Sequence, residues 1–281
     1  MFQTLITPEA LYQHLGDPNW VILDDRHNLM NISEGRAQFI DAHILGAQFA
    51  DLETDLSGLI LRGKTGRHPL PDPNLLAQKL GEWGVDENVQ VVAYDGFGGA
   101  FAARLWWLLQ WLGHKKVAVL EGGWPAWIAK EYPISDVVEH RPKRLFTPYL
   151  RPELVADVQE VFQASQTHRL LDARTFDRYC GENEVIDPVA GHIPGALSRP
   201  FIESFALEPN TVIKNFKSVA FLRQELLQYE NPVCYCGSGV TAAHLALSFV
   251  HAGLPMPKVY PGSWSEWVTD VNRPIKVGPN P

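Results

Sequence analysis

The residues with the clearest chemical potential form a short loop, CGSGVT at 236–241, between an apolar strand-like run and a helix-like run. Its glycines permit backbone conformations in which successive N–H groups turn inward. Together with the amino-terminal end of the following helix, these donors form a cradle for an anion. A thiol at Cys236 is therefore expected to ionise more readily than a free cysteine. The hydroxyl groups of Ser238 and Thr241 add donors, and the same cradle suits a terminal persulfide.

The three cysteines of the chain lead to different expectations. Cys236 could be a small, inert residue at a strand end, but the glycine-rich loop favours a nucleophile. Cys234 alternates with it along the strand and is expected in the core. Cys180 is not expected to have a redox role. Three cysteines cannot form a disulfide framework, and Cys234 and Cys236 are too close for a paired metal motif. No metal and no cofactor is expected.

Composition limits the classes of function. A length of 281 residues predicts about two domains, and 46% hydrophobic with 20% charged residues is ordinary for a globular protein. The net charge of -8 argues against nucleic acid or an anionic membrane as partner, although a small anionic substrate remains compatible. No signal peptide and no apolar run of roughly 20 residues is evident, which predicts a cytoplasmic protein.

The chain contains an internal repeat. Five landmarks recur in the same order: VILDDR (21–26) and RLLDAR (169–174), AHILGA (42–47) and GHIPGA (191–196), VVAYDGFGGA (91–100) and PVCYCGSGVTA (232–242), a helix-like run after each loop, and closing segments VAVLEGGWPAWI (117–128) and KVYPGSWSEWV (258–268). The repeat predicts a first domain at 1–138, a surface linker at 139–153 and a second domain at 154–281. It also aligns Asp95 with Cys236.

Short β-branched runs alternate with helical patterns in each half. This alternation predicts an α/β fold in which a central, mainly parallel sheet is flanked by helices. Residues 1–15 read as a capped helix, and residues 154–165 as another. Ligands of such sheets bind at the carboxyl ends of strands, where both glycine-rich loops fall.

The motifs resemble those of two-domain rhodanese-type sulfurtransferases over nearly the whole chain. CGSGVT is similar to the loop of the 3-mercaptopyruvate branch, whereas the thiosulfate branch typically carries basic residues in a CRKG-type loop; GHIPGA and GSWSEW also match family signatures. The resemblance implies tandem rhodanese-like domains and a persulfide at Cys236. Sulfur would pass from a small anionic donor, 3-mercaptopyruvate or alternatively thiosulfate, to cyanide, a small thiol or thioredoxin. The first domain would be inactive, because Asp95 cannot carry sulfane sulfur.

The resemblance also implies donor-binding residues. Arg178 matches the arginine that holds the donor's anionic group, for which a forked guanidinium is suited. Its alternative role is a surface salt bridge with Asp177 or Glu182. The 3-mercaptopyruvate enzymes usually carry a second arginine nine positions later, where this chain has Asp187. The other loop positions expected to bind the donor are Gly237, Gly239, Val240 and Thr241.

A proton relay is implied by the segment TGRHPLP at 65–71. It resembles the first-domain loop whose histidine joins the loop serine, so His68 and Ser238 would polarise or deprotonate the donor thiol. Arg67 could bind anions beside them. The third, acidic member is expected among Glu53, Asp51 and Asp55.

Two other interpretations compete with sulfur transfer. Cysteine phosphatases share the cysteine loop but need an arginine six positions after the cysteine, where this chain has Ala242. A non-catalytic binding module would fit the first half but not the intact loop of the second. His43 and His192 recur in both halves, including the one without a cysteine, and are expected to serve local structure.

Overall fold

The computed structural model describes residues 1–206 and 210–281. The chain forms two compact units, and each takes in a segment whose neighbours in sequence belong to the other. Unit 1 comprises residues 1–58, 71–151 and 205–216, and unit 2 comprises residues 59–70, 152–204 and 217–281. A repeat read in sequence order cannot reveal this exchange of segments. The domain limits predicted around 139–153 stay a prediction.

Unit 1 is built on a parallel sheet of strand order β1-β6-β5-β2-β4, accompanied by the antiparallel pair β3 and β7. Its elements are β1 (Leu5–Ile6), α1 (Pro8–Tyr12), β2 (Trp20–Asp24), α2 (Glu34–Asp41), β3 (His43–Ile44), β4 (Gln48–Phe49), α3 (Pro73–Glu82), β5 (Gln90–Tyr94), α4 (Ala102–Trp111), β6 (Val117–Leu120), α5 (Gly123–Ala129) and β7 (Ile134–Ser135). Every residue of β5 and β6 is buried, as expected for central strands of a parallel sheet.

Unit 2 repeats the plan with a parallel sheet of order β11-β10-β8-β9. Its elements are α6 (Val158–Gln166), β8 (Leu170–Asp172), α7 (Phe176–Cys180), β9 (Leu197–Ser198), α8 (Val219–Leu226), β10 (Val233–Tyr235), α9 (Thr241–His251), β11 (Lys258–Val259) and α10 (Ser263–Trp267), with single 3-10 turns at Pro152–Leu154 and Phe201–Ser204. Helix α9 packs on β10 and β11 as α4 packs on β5 and β6. The predicted α/β class with mainly parallel sheets is confirmed.

Two predicted helices begin later than the pattern suggested. Leu5–Ile6 pairs with the edge of β6, and α1 starts only at Pro8, which is well suited to a first helical position. Helix α6 starts at Val158 because Asp157 and Glu160 form a capping box, with side chain and backbone satisfying each other. Strand pairing sets the start of α1, and the capping box sets the start of α6.

Within the described ranges, no helix is both long and apolar enough to cross a membrane.

Candidate active site

Cys236 directly follows β10, at the carboxyl edge of the sheet in unit 2. Its backbone is fixed on both sides: its N–H donates to the hydroxyl of Ser263 at 3.1 Å, and its carbonyl accepts from the N–H of Trp264 at 3.0 Å. The residue is only 2% exposed. The start of α10 therefore holds the cysteine in a single position, which sequence reasoning did not foresee for Ser263.

The loop supplies a backbone donor to the sulfur. The N–H of Gly239 lies 3.1 Å from Sγ of Cys236. Gly239 has φ +80°, and a Cβ there would stand 2.5 Å from the carbonyl oxygen of Pro261, so a larger residue would displace this donor. Val240 is buried and precedes α9, and Thr241 is its first residue. The helix thus begins at the end of the cysteine loop, as the anion-cradle hypothesis requires.

His68 and Ser238 lie together in unit 2. Nδ1 of His68 is 2.7 Å from Oγ of Ser238, and both side chains are buried. The ring can act as donor or acceptor in this bond, depending on its tautomer. The sequence-predicted pair is thus within proton-transfer distance.

Segment 59–70 can approach the cysteine loop because of Gly66. A Cβ on Gly66 would lie 2.5 Å from the carbonyl oxygen of Gly262 and 2.7 Å from the hydroxyl of Ser265. The N–H of Arg67 donates to the same hydroxyl at 3.1 Å. This close backbone contact places residues 67 and 68 beside the loop.

Two arginines converge on Gly237. A Cβ built on Gly237 would be 2.9 Å from Nη2 of Arg67 and 3.5 Å from Nη2 of Arg178. Both guanidinium groups therefore pack against the backbone of Gly237, and a side chain at this position would have to displace Arg67. Forked guanidinium groups are suited to carboxylate and other oxyanions.

The two arginines share a carboxylate. Asp187 pairs with Arg67 through one oxygen and with Nη2 of Arg178, at 2.9 Å, through the other. Glu184 pairs with Nε and Nη2 of Arg178 at 2.9 to 3.1 Å. The acids on the guanidinium of Arg178 are thus Glu184 and Asp187 rather than Asp177 or Glu182. From Arg178, Asp177 accepts the backbone N–H, at 2.9 Å.

The pKa values of Asp187 and Glu184 shift in opposite directions. Burial raises the pKa of Asp187, against the opposing effect of its arginines. Burial also disfavours the charge of Glu184, but two backbone amides and Arg178 outweigh it and hold its pKa below the usual range. Neither acid was identified as a site residue from the sequence, because only the folded chain brings them to Arg67 and Arg178.

The predicted acid of the relay is not assigned. The three candidates belong to unit 1, and each faces a basic side chain there: Asp51 faces Arg36 at 3.4 Å, Asp55 faces Lys79 at 2.9 Å, and Glu53 faces His27 at 3.5 Å. The choice among them stays a prediction.

The other two cysteines are packed away. Cys234 is completely buried, and burial raises the pKa of its thiol well above the usual range. Burial likewise raises the pKa of Cys180. Both are therefore poor nucleophiles, in contrast to Cys236 beside its loop donor.

The corresponding loop of unit 1 is occupied by its own side chain. Asp95 follows β5, and its carboxylate accepts four backbone N–H bonds, from Phe97 at 2.7 Å, Gly99 at 2.9 Å, Phe101 at 2.7 Å and Ala102 at 2.9 Å. Its carbonyl accepts from the N–H of Trp124 at 2.8 Å, as that of Cys236 accepts from Trp264. Burial raises the pKa of Asp95 despite these amides.

The family model, the sequence relatives and the solved structures that match this chain all point to the same family. The sequence matches the family model described as "Rhodanese-like domain" twice, at residues 7–130 and 154–270. It is 43% identical over 282 residues to the "Probable 3-mercaptopyruvate sulfurtransferase" of Pseudomonas aeruginosa, covering 98% of each chain. It is 31% identical to "Thiosulfate/3-mercaptopyruvate sulfurtransferase 2" of Arabidopsis thaliana, covering 97% of this chain and 86% of the relative. The structure of the 3-mercaptopyruvate sulfurtransferase from Leishmania major superposes with a TM-score of 0.85 at 28% identity, covering 97% of this chain and 75% of the other.

Proposed function

Because this chain belongs to the rhodanese family of sulfurtransferases, we propose that it moves sulfane sulfur from 3-mercaptopyruvate, through a persulfide on Cys236, to a thiophilic acceptor. The observation that carries the proposal is the 2.7 Å pair of His68 and Ser238 beside a cysteine whose sulfur accepts a loop amide. Such a pair is useful for a donor whose sulfur bears a proton, as a mercaptan does.

In the first step, the Cys236 thiolate attacks the sulfur of 3-mercaptopyruvate. The new S–S bond forms as the donor's C–S bond breaks, and the electron pair of that bond remains on carbon as the enolate of pyruvate. The proton of the donor thiol, taken up through Ser238 and His68, returns to this carbon. The products are pyruvate and an anionic persulfide on Cys236, so atoms and charge balance.

The donor is oriented by the two arginines. The guanidinium groups of Arg178 and Arg67, which lie against Gly237 of the cysteine loop, would hold the donor carboxylate. The backbone of Gly239, Val240 and Thr241 would receive the developing charge on the outer sulfur.

In the second step, the acceptor attacks the outer sulfur of the persulfide. With cyanide the S–S bond breaks, thiocyanate leaves and the Cys236 thiolate is restored. A small thiol or thioredoxin would accept the sulfur in the same manner. We further propose a reducing, cytoplasmic setting, since the three cysteines are free and the cycle needs a reduced Cys236.

The test compares donors on the purified protein, with thiocyanate formation as the readout. We expect a higher kcat/KM with 3-mercaptopyruvate than with thiosulfate. A higher value with thiosulfate would replace the proposal by thiosulfate:cyanide transfer. If neither donor gave thiocyanate and iodoacetamide did not modify Cys236, the protein would be a rhodanese-like binding module.

A further inference from the structure

The guanidinium groups of Arg67 and Arg178 are held as a pair. Asp187 lies between them, with one carboxylate oxygen on each arginine. Its side chain is fully buried, whereas those of Arg67 and Arg178 are 30% and 16% exposed. The carboxylate therefore lies behind the pair, and the arginines present the accessible surface.

Each arginine keeps hydrogen-bonding capacity for a ligand. Nε of Arg67 is buried and has no hydrogen-bond partner within the described chain. The bonds of Arg178 to Glu184 and Asp187 use only Nε and Nη2, and Nη1 lies 3.6 Å from the position of a Cβ on Gly237. Guanidinium donors that no protein group uses, beside the loop of Cys236, are what an anionic donor requires.

The acids also set the charge that a donor meets. Asp187 and Glu184 balance the charges of Arg67 and Arg178, so this group of four side chains is neutral overall when all are ionised. Arg174, which also reaches Glu184 at 3.5 Å, is itself paired with Asp172 at 2.6 Å. A dianion gains more from positive charge than a monoanion does, so a neutral cluster favours the donor with the smaller charge.

We propose that Asp187 is a specificity-determining residue, which positions Arg67 and Arg178 beside the cysteine loop and favours a singly charged donor over a doubly charged one. The inference rests on the proposed function, since it concerns the donor of the same site. Arg67, from the segment that joins unit 2 out of sequence order, supplies the second guanidinium.

The test is the donor ratio of Asp187→Asn, which removes one negative charge at nearly constant size. The ratio of kcat/KM for thiosulfate to that for 3-mercaptopyruvate is expected to rise about tenfold, because thiosulfate carries the additional charge. The change should appear in KM more than in kcat, since Asp187 acts on donor binding. A ratio within about twofold of the wild-type value would overturn the proposal.

Two control variants separate charge from damage to the fold. Asp187→Glu retains the charge, and its ratio should stay within about twofold of wild type. The double variant Arg67→Gln/Asp187→Asn restores the balance of charge, so its ratio should return toward wild type. If the double variant kept the ratio of Asp187→Asn, the charge argument would be wrong.

A binding measurement makes the test independent of turnover. Pyruvate and sulfate are a monoanion and a dianion without transferable sulfur, and either should slow the alkylation of Cys236 by iodoacetamide. In Asp187→Asn, sulfate should protect at about tenfold lower concentration, with a smaller change for pyruvate. Unchanged protection would refute the role of Asp187, whereas a wild-type protein that uses neither donor would refute only the proposed function.

Discussion

The two cysteine-type loops of this chain have the same support and different occupants. In unit 1 the carboxylate of Asp95 fills its own cradle with four backbone bonds. In unit 2 the shorter side chain of Cys236 accepts a hydrogen bond at Sγ from the backbone N–H of Gly239. Asp95 places its oxygens one bond further out than Sγ, where the outer sulfur of a persulfide would stand. The carboxylate of Asp95 thus always occupies the first loop, whereas the second loop would receive its anion only when the proposed persulfide forms on Cys236.

The support beneath both loops is almost identical. Arg26 pairs with Asp24 and Arg174 pairs with Asp172, each at 2.6 Å. Each arginine also donates to a backbone carbonyl, at 2.6 Å in unit 1 and 2.7 Å in unit 2. Buried ion pairs of this kind fix local geometry more than they add stability. The main difference between the units therefore lies in the loops.

The repeated histidines belong to this common support. Nδ1 of His43 lies 2.7 Å from the carbonyl oxygen of Phe39, and Nδ1 of His192 lies 2.8 Å from that of Tyr179. Residues shared by both copies thus serve the scaffold, and chemistry is to be sought among those that differ.

The largest expected effect comes from exchanging the occupants. Cys236→Ser should lower transfer with either donor by at least about 10³-fold, because an alcohol is a poor sulfur acceptor. Adding Asp95→Cys should not restore it, since Phe97 stands where unit 2 has Ser238. Thiocyanate formation measures both. Recovery above about 1% of wild-type activity in the double variant would show that a cysteine on this scaffold is sufficient.

Local sequence was enough to predict the α/β class, which is confirmed, and to single out Cys236 as the candidate nucleophile. The cysteine, its glycines and the flanking strand and helix are contiguous, so their mutual placement follows from backbone geometry. Gly239 has φ +80° and donates its N–H to the sulfur of Cys236, as the glycine-rich composition of the loop predicts.

The environment of Arg178 could not be derived in this manner. Its carboxylate partners depend on how residues 182–187 turn, and Asp187 meets Arg67 across 120 positions of sequence. Segment 59–70 enters unit 2 through the close contact of Gly66 with Gly262, which no periodicity reports. Long-range contacts between polar side chains carry no local pattern, and family resemblance was the only guide to His68.

Variants of the proposed proton relay should lower activity with 3-mercaptopyruvate much more than activity with thiosulfate. His68→Asn is expected to lower kcat with 3-mercaptopyruvate by about 10²-fold and to leave thiosulfate within a few-fold, because thiosulfate brings no thiol proton. Ser238→Ala is the matched variant and should give the same split. Equal losses with both donors would mean that the pair orders the loop rather than moving a proton.

Removing the carboxylate of Asp95 from the loop of unit 1 should lower the stability of the protein but not its rate of sulfur transfer. Asp95→Ala leaves four backbone N–H groups without their carboxylate, which should lower the free energy of unfolding by about 2 kcal/mol. Urea unfolding measures the loss, and Asp95→Asn should lose less because its amide oxygen still accepts. Transfer per folded molecule should remain within about twofold. A large loss of kcat in Asp95→Ala would give unit 1 a part in the reaction.

The smallest effect concerns one position where the supports differ. The N–H of Asp25 donates to the carbonyl of Tyr94 at 2.8 Å, and the N–H of Ala173 donates to that of Tyr235 at the same distance, so the two residues correspond. Asp25 is fully buried, and neither carboxylate oxygen has a hydrogen-bond partner among the described residues. Burial first, and then the charge of Asp95, raise its pKa well above the usual range.

Replacing Asp25 by the residue of its counterpart should therefore stabilise the protein. Below pH of about 4 the carboxyl is protonated in both folded and unfolded chains; as the pH rises toward the raised folded pKa, only the unfolded chain loses the proton, so stability is lost. Asp25→Ala should thus gain about 1 kcal/mol at pH 7 and less at pH 4, as measured by urea unfolding at each pH. Asp25→Asn keeps the size of the side chain but does not titrate. The difference in free energy of unfolding between Asp25→Asn and Asp25→Ala should therefore not depend on pH. A gain that stayed constant from pH 4 to pH 8 would show that Asp25 titrates alike in both states, and the two units would then differ at this position in packing alone.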